Sequence, residues 1–249
     1  MFPPRFAPIL QEMEPLAALF REAGHRLFLV GGSVRDLFIG DSDAGTDLSL
    51  IDFDATTTAT PDQIKKIVNP IADALWTQGE RFGTIGLKIG ERTYEITTHR
   101  AEAYSPDSRK PEVQFATDIE TDLSRRDFTI NAMALELTTD TPVLVDPFGG
   151  LADLMARVLR TPLSAEESFN DDPLRMLRAA RFISQLEVTP DPSITAAVTA
   201  MADRLTIVSA ERVRIEFDRL MTTKRPTFGL WFLVDTGLVD HFLPEMKLM

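Results

Sequence analysis

Leu27-Phe28-Leu29-Val30-Gly31-Gly32-Ser33-Val34-Arg35-Asp36 runs from an unbroken apolar segment into a glycine pair, and Asp52-Phe53-Asp54 follows further along the chain. The apolar run reads as a buried strand, and the glycines end it and open a helix. A backbone without Cβ at that turn can come close to a triphosphate, and the helix start behind it offers N–H groups to anionic oxygens. In an extended segment side chains alternate, so Asp52 and Asp54 point the same way, and like charges held side by side call for cations between them. Such a pair suits a two-Mg²⁺ phosphoryl-transfer site, where metals about 3.5–4 Å apart stabilise the attacking and leaving oxygens. Either element alone has a plain alternative: Asp-x-Asp is often a solvated turn, and Gly-Gly a tight one. Their order and separation favour the functional reading.

Helical and strand patterns alternate around this stretch. The spacing predicts a helix over 9–23, a strand over 26–31, a short helix to Phe38, a strand over 48–53 and a helix from Pro61 to Val68. Strands over 84–89 and 92–98 flank a hairpin turn at Gly90-Glu91. A short helix carrying Asn131 to Leu135 and a strand over 143–145 complete an α/β head on a mixed sheet, with no repeated βαβ unit. From Gly150 onward the apolar spacing is three and four, over 151–158, 172–186, 194–205, 210–221 and 227–234. Pro162, Pro173, Pro190, Pro192 and Pro226 fall at the starts or between these segments. The expected domains are therefore a head over 1–155 and an all-helical neck over 156–249, with one mobile loop at 104–111.

Composition narrows the chemistry. At 249 residues, 44% of them apolar and 26% charged, the chain has the make-up of an ordinary globular protein. It has no apolar run of membrane-spanning length and no basic-then-apolar leader, so a cytoplasmic address is expected. With no cysteine and three scattered histidines, His25, His99 and His241, a metal would be held by oxygen, which is Mg²⁺ chemistry rather than zinc. A net charge of −12 is unusual for an RNA partner, whose phosphates call for Lys and Arg. The basic residues cluster at Arg109-Lys110, at Arg125-Arg126 and from Arg175 to Arg181.

Further motifs follow in order: Asp54-Ala55-Thr56-Thr57-Thr58-Ala59-Thr60-Pro61, Tyr94-Glu95-Ile96-Thr97-Thr98-His99-Arg100, and Arg125-Arg126-Asp127-Phe128-Thr129-Ile130-Asn131-Ala132-Met133. Then come Asp146-Pro147-Phe148-Gly149-Gly150 with Asp153, Asp171-Asp172-Pro173-Leu174-Arg175-Met176-Leu177-Arg178, and Ser209-Ala210-Glu211-Arg212. The ordered set resembles the class II tRNA nucleotidyltransferases, or CCA-adding enzymes, and their sister group, the bacterial poly(A) polymerases. The resemblance covers nearly the whole chain. It implies a polymerase-β-like nucleotidyltransferase head followed by a helical neck. The activity it implies is Mg²⁺-dependent, template-independent addition of C and A from CTP and ATP to the tRNA 3′ end.

The resemblance also implies roles for residues. Asp52 and Asp54 would be catalytic metal ligands, and Glu95 the third carboxylate; the alternative for Glu95 is an edge-strand glutamate paired with Arg92 or Arg100. Gly31, Gly32, Ser33 and Arg35 would hold phosphates, with Asp36 orienting Arg35. Arg125, Arg126 and Asp127 would contact triphosphate and ribose, Asn131 completing that network, or else Asp127 forms an ion pair within its domain. Asp172 and Arg175, three apart on one helix face, would read the incoming base with Arg178 nearby, or else form a surface salt bridge. Asp146, Gly149, Gly150 and Asp153 would be a spring between domains, or a strand-to-helix turn with an Asp cap; Ser209 reads as a helix cap.

Two departures stand out. The spacing from Val34-Arg35-Asp36 to the first metal aspartate is longer than the family's, so 41–50 reads as an insertion, and Asp47-Leu48-Ser49 is an imperfect rival metal motif. Full-length relatives continue into domains that grip the tRNA elbow, whereas this sequence ends at Met249, so weak, salt-sensitive tRNA binding is expected. A poly(A) polymerase, or an RNA- or nucleotide-binding fragment without activity, are the competing readings.

Overall fold

The computed structural model describes residues 2–40, 53–103, 112–116 and 118–248. Asp52, the 41–50 insertion and the 104–111 loop lie outside them. The chain divides into two compact units, one of Met1–Ser124 with Asn131–Phe148, the other of Arg125–Ile130 with Gly149–Met249.

In the first unit, helix α1 (Ala7–Glu22) buries Ile9, Met13, Leu16, Ala17 and Phe20, spaced by three and four. Strand β1 (Leu27–Val30) is buried throughout and leads into α2 (Gly32–Ile39). Strand β2 spans Phe53–Thr57 and α3 spans Pro61–Val68. Thr60 and Gln63 close a capping box on α3, and Pro61 takes the first helical position, where its missing N–H costs nothing. Then come β3 (Ala74–Trp76), β4 (Thr84–Ile89), β5 (Arg92–Thr98), a separate hairpin of β6 (Arg100–Ala103) and β7 (Glu112–Phe115), α4 (Ile119–Ser124), β8 (Ala134–Glu136) and β9 (Val143–Val145).

Seven strands form one mixed sheet in the order β3-β4-β5-β2-β1-β8-β9. Among the described residues of this sheet, only the β2–β5 pair is parallel. Phe53, Ala55, Tyr94 and Ile96 are buried on one face, on which α1 and α3 pack. Tyr94 ties α1 to that face by donating its hydroxyl to Glu12 at 2.7 Å. On the other face α4 covers the β1 and β8 end, where Ile119 and Leu123 pack with Phe28, Val30, Ala132 and Ala134. Covered on both faces, β1 carries no polar residue.

The second unit holds α5 (Gly150–Ala156), α6 (Ala165–Asp171), α7 (Leu174–Leu186), α8 (Pro192–Met201), α9 (Ala210–Met221) and α10 (Thr227–Asp235). Among the described residues it is helical except for a parallel pair of two-residue strands, β10 (Val158–Leu159) and β11 (Thr189–Pro190). Ser164 and Glu167 form a capping box on α6, and Ser209 caps α9.

The structure corrects several expectations. Of the strand expected over 48–53, residues 48–52 lie outside the described residues, and β2 extends beyond it over Phe53–Thr57. The helix expected from Asn131 to Leu135 is a 3₁₀ turn, Thr129–Asn131, followed by β8, because Ala132, Met133 and Ala134 are buried beside β1 rather than on one helix face. The helix expected over 172–186 is α7, starting two residues later because Asp172, before a proline, is extended; α6, over Ala165–Asp171, was not expected. Helix α8 stops at Met201 and continues as a 3₁₀ segment over Ala202–Ile207.

Helix α10 approaches α7 at Gly229, where an added Cβ would lie 2.2 Å from the Ala180 carbonyl oxygen and 2.7 Å from Leu220 Cδ1. Backbone cannot yield as a side-chain tip can. Gly229→Ala is therefore expected to destabilise the protein by about 2 kcal/mol or more, seen as a lower urea midpoint with unchanged slope.

Candidate active site

The turn after β1 is built as its glycines require. Gly31 takes φ 73°, ψ −137°, a conformation that side chains disfavour, and its carbonyl accepts from the Arg35 N–H at 3.1 Å. Ser33 and Arg35 lie buried in the first turns of α2. The Arg35 guanidinium folds back over Gly32, where an added Cβ would touch Nη2 at 3.5 Å. Asp36 receives it on both oxygens, at 2.7 and 3.0 Å, and Asn131 Oδ1 accepts from Nη1 at 2.7 Å. Asp36 thus orients Arg35. Asn131 joins Arg35 in the first unit, whereas Asp127 belongs to the second.

Asp54 and Glu95 are direct partners across the parallel β2–β5 pair, so both project from one sheet face, and both are exposed. Strand β5 lies inside the sheet, which removes the edge-strand alternative for Glu95. Arg92 instead reaches Glu12 at 3.0 Å, and Arg100 donates to the Thr84 hydroxyl at 2.7 Å. Two exposed carboxylates side by side have the all-oxygen donor chemistry of a hard divalent cation. Among the described residues, which exclude Asp52, no cluster of three or more His, Asp or Glu forms a metal cage. His99, given no role in the sequence, is buried, and its Nδ1 lies 2.8 Å from the Thr56 hydroxyl.

The second unit assembles the remaining residues. Asp127, 7% exposed, accepts the Phe128 N–H at 2.8 Å and two Arg178 nitrogens, Nε at 2.9 Å and Nη2. This is the intradomain ion pair. Arg178 also lies 3.9 Å from Glu216, a carboxylate 3% exposed that binds Arg181 at 2.8 Å and Arg219 at 3.3 Å. Burial pulls the Arg178 pKa down, but the charge and hydrogen bonds of Asp127, with Glu216, outweigh it and raise the net value. For Arg181 burial wins over Glu216, and its pKa falls.

Asp172 sits in the break between α6 and α7, not on a helix face with Arg175. Its Oδ1 accepts the Leu174 N–H at 3.1 Å and its Oδ2 binds Arg212 at 2.9 Å. Arg175 donates to the Ser168 hydroxyl at 2.9 Å and to the Arg125 carbonyl at 2.5 Å. The two side chains are held by different partners, so the simple Asp172–Arg175 salt bridge is absent among the described contacts. Burial raises the Asp171 carboxyl pKa despite the nearby Arg175 and Arg125. Arg126 is half-buried in the same segment.

Gly149 starts α5 in the left-handed region at φ 71°. Asp153, buried, accepts the Thr129 hydroxyl at 2.7 Å and pairs with Arg160, fastening the 125–130 segment to this unit. Sequence reasoning gave neither Asp153 nor Glu216 this part. For Glu216 a signal existed, since it falls three after Val213 and four before Leu220 on the buried face of α9.

Residues 27–160 match the poly A polymerase head domain, and residues 187–249 match the probable RNA and SrmB-binding site of polymerase A. The chain belongs to the poly A polymerase head-domain family of nucleotidyltransferases. Within it the resemblance is to CCA-adding enzymes. The chain is 41% identical over 232 residues to the CCA-adding enzyme of Bacillus subtilis strain 168, covering 91% of this chain and 54% of that protein. It matches the crystal structure of the Bacillus stearothermophilus CCA-adding enzyme in complex with CTP with a TM-score of 0.81 and 30% identity, over 98% of this chain and 56% of that one. The Thermotoga maritima CCA-adding enzyme complexed with tRNA matches with a TM-score of 0.77 and 27% identity, over 96% and 53%. The chain spans about half the length of the curated relatives it matches. No helix among the described residues is long and apolar enough to cross a membrane.

Removing Arg178 leaves two buried carboxylates short of a cation. Arg178→Ala is expected to cost about 3 kcal/mol in urea unfolding. In a double-mutant cycle, Asp127→Asn is expected to add less to this variant than to the wild type, a coupling of about 1 kcal/mol or more.

Proposed function

We propose that this chain transfers nucleotides from CTP and ATP to the 3′ end of tRNA. The terminal 3′-hydroxyl oxygen attacks the α-phosphorus, the bond to the β-phosphate oxygen breaks, pyrophosphate departs and the hydroxyl proton is released. The observation that carries this reading is the direct pairing of Asp54 with Glu95 on the open face of the sheet, beside the glycine turn at the end of β1.

The family implies a divalent metal, and we take it to be Mg²⁺, held by Asp52, Asp54 and Glu95; when bound, it would acidify the attacking hydroxyl and neutralise pyrophosphate. Gly31, Gly32, Ser33 and Arg35 are the proposed phosphate contacts, with Arg35 held in place by Asp36 and Asn131. Arg125, Arg126, Asp127 and Arg178 are the proposed triphosphate and ribose contacts. Asp172 and Arg175 are the proposed readers of the base edge, fixed in advance by Arg212 and Ser168. The proposed division is a nucleotidyltransferase head over 1–155 and a nucleotide-selecting neck over 156–249, and the substrates imply a cytoplasmic setting.

One extension assay tests the activity: labelled CTP and ATP supplied with tRNA lacking its 3′ end. Ordered C, C, A addition is expected; long A tails would assign a poly(A) polymerase, and binding without incorporation would refute both. Asp52→Ala and Asp54→Ala are each expected to abolish incorporation while the circular dichroism stays unchanged, since both are proposed to bind metal.

Base choice gives a separate test. Arg175→Ala is expected to reduce discrimination against G and U by roughly 1–3 kcal/mol, read by comparing incorporation of all four nucleotides, with less effect on triphosphate affinity. Unchanged preference would remove Asp172 and Arg175 as the template.

A further inference from the structure

Successive strand pairings place Trp76 opposite Gly86, Gly86 opposite Glu95, and Glu95 opposite Asp54, so the four residues form one row across β3, β4, β5 and β2 on one face. Gly86 contributes no side chain to the row, and the Trp76 indole lies over it: an added Cβ would be 3.2 Å from indole Cε3. Trp76 is 39% exposed and Phe82 37% exposed. Both line a cavity of about 530 Å³ that also takes in Glu95, Arg100, Gln78 and Thr93. The Arg81 guanidinium stands 4.5 Å over the Phe82 ring, so the rim carries positive charge. Exposed rings beside guanidiniums are the chemistry that binds unstacked bases on a phosphate backbone.

Strand order separates the two reactants. The glycine turn follows β1, on one side of β2, whereas Trp76 and Gly86 lie on β3 and β4, beyond β5 on the other side. The carboxylates of β2 and β5 stand between them. At about 4.8 Å per strand, Trp76 is about 10 Å from the Glu95 strand, the scale of a single nucleoside. We propose that Trp76, laid on Gly86 beside Phe82, is the stacking platform for the terminal nucleobase of the RNA acceptor, and that Arg100 in the same cavity faces its backbone. The proposal rests on the nucleotidyl-transfer reading above and adds the acceptor's position to it.

The experiment uses the full chain carrying Trp231→Phe, which leaves Trp76 as the sole tryptophan of the two in the sequence. A short single-stranded RNA with a free 3′-hydroxyl is expected to quench Trp76 fluorescence saturably, and CTP is not. In extension assays on the native background, Trp76→Ala is expected to raise KM for the RNA about tenfold or more while KM for CTP stays within about twofold, and Trp76→Phe restores most of the loss. Gly86→Ala, which crowds the indole while keeping it, is expected to weaken RNA quenching in the same direction. Absence of quenching by RNA, equal quenching by CTP, or a Trp76→Ala effect confined to CTP would overturn the platform. RNA quenching in a protein that incorporates no nucleotide would uphold the platform and refute the activity instead.

Discussion

The parallel pairing of β2 with β5 is the constraint on which the first unit depends. A parallel pair cannot be closed by a tight turn, so the chain must leave β2 and return through a crossover, here α3 with β3 and β4. The register is fixed by packing: Phe53, Ala55, Tyr94 and Ile96 fill the face beneath α1 and α3, and their alternates are Asp54 and Glu95. A slip of one residue on either strand would send a carboxylate into the core and an aromatic ring into solvent. The apolar residues that build the core therefore also aim the two carboxylates, and stability and the proposed chemistry depend on the same register.

Electrostatics takes that organising part in the second unit. Asp127, Arg178, Glu216 and Arg181 bring opposite charges together in a largely buried cluster, and Asp153 with Arg160 and Thr129 fastens the 125–130 segment to it. Burying charges is costly unless each is paired and hydrogen-bonded, so the cluster restricts the geometries the segment can adopt. The Arg125 carbonyl, held by Arg175, extends the same restraint to the start of the segment. Residues proposed to meet the nucleotide are thus positioned by partners in their own unit.

Much of this was legible in the sequence because local signals were strong. Thr60-Pro61 with Gln63 marks the start of α3, Gly90 marks the β4–β5 hairpin, and the three-and-four spacing from Ala210 to Met221 gives α9. Where tertiary contacts outweigh local pattern, the reading failed. Residues 132–135, Ala-Met-Ala-Leu, are good helix formers, yet β1 needs a neighbour and β8 supplies it. Pro173 marks the start of α7, whereas α6 before it, Ala165–Asp171, is too short to show a helical period. Short strands such as β3 carry too few residues to show a period, and the row from Trp76 to Asp54 exists only once four strands are aligned. The like-charge pair Asp52 and Asp54 was visible from sequence, whereas the Asp54–Glu95 adjacency required the parallel register.

The proposed chemistry requires the Asp54–Glu95 pair to form a divalent-cation site. Titration of the protein with Mn²⁺, followed by electron paramagnetic resonance in the presence of a non-reactive CTP analogue, tests it most directly. The account predicts bound Mn²⁺ in the wild type, with affinity reduced roughly tenfold or more in both Asp54→Asn and Glu95→Gln, since each removes a charged oxygen ligand. Unchanged Mn²⁺ affinity in both folded variants would contradict it.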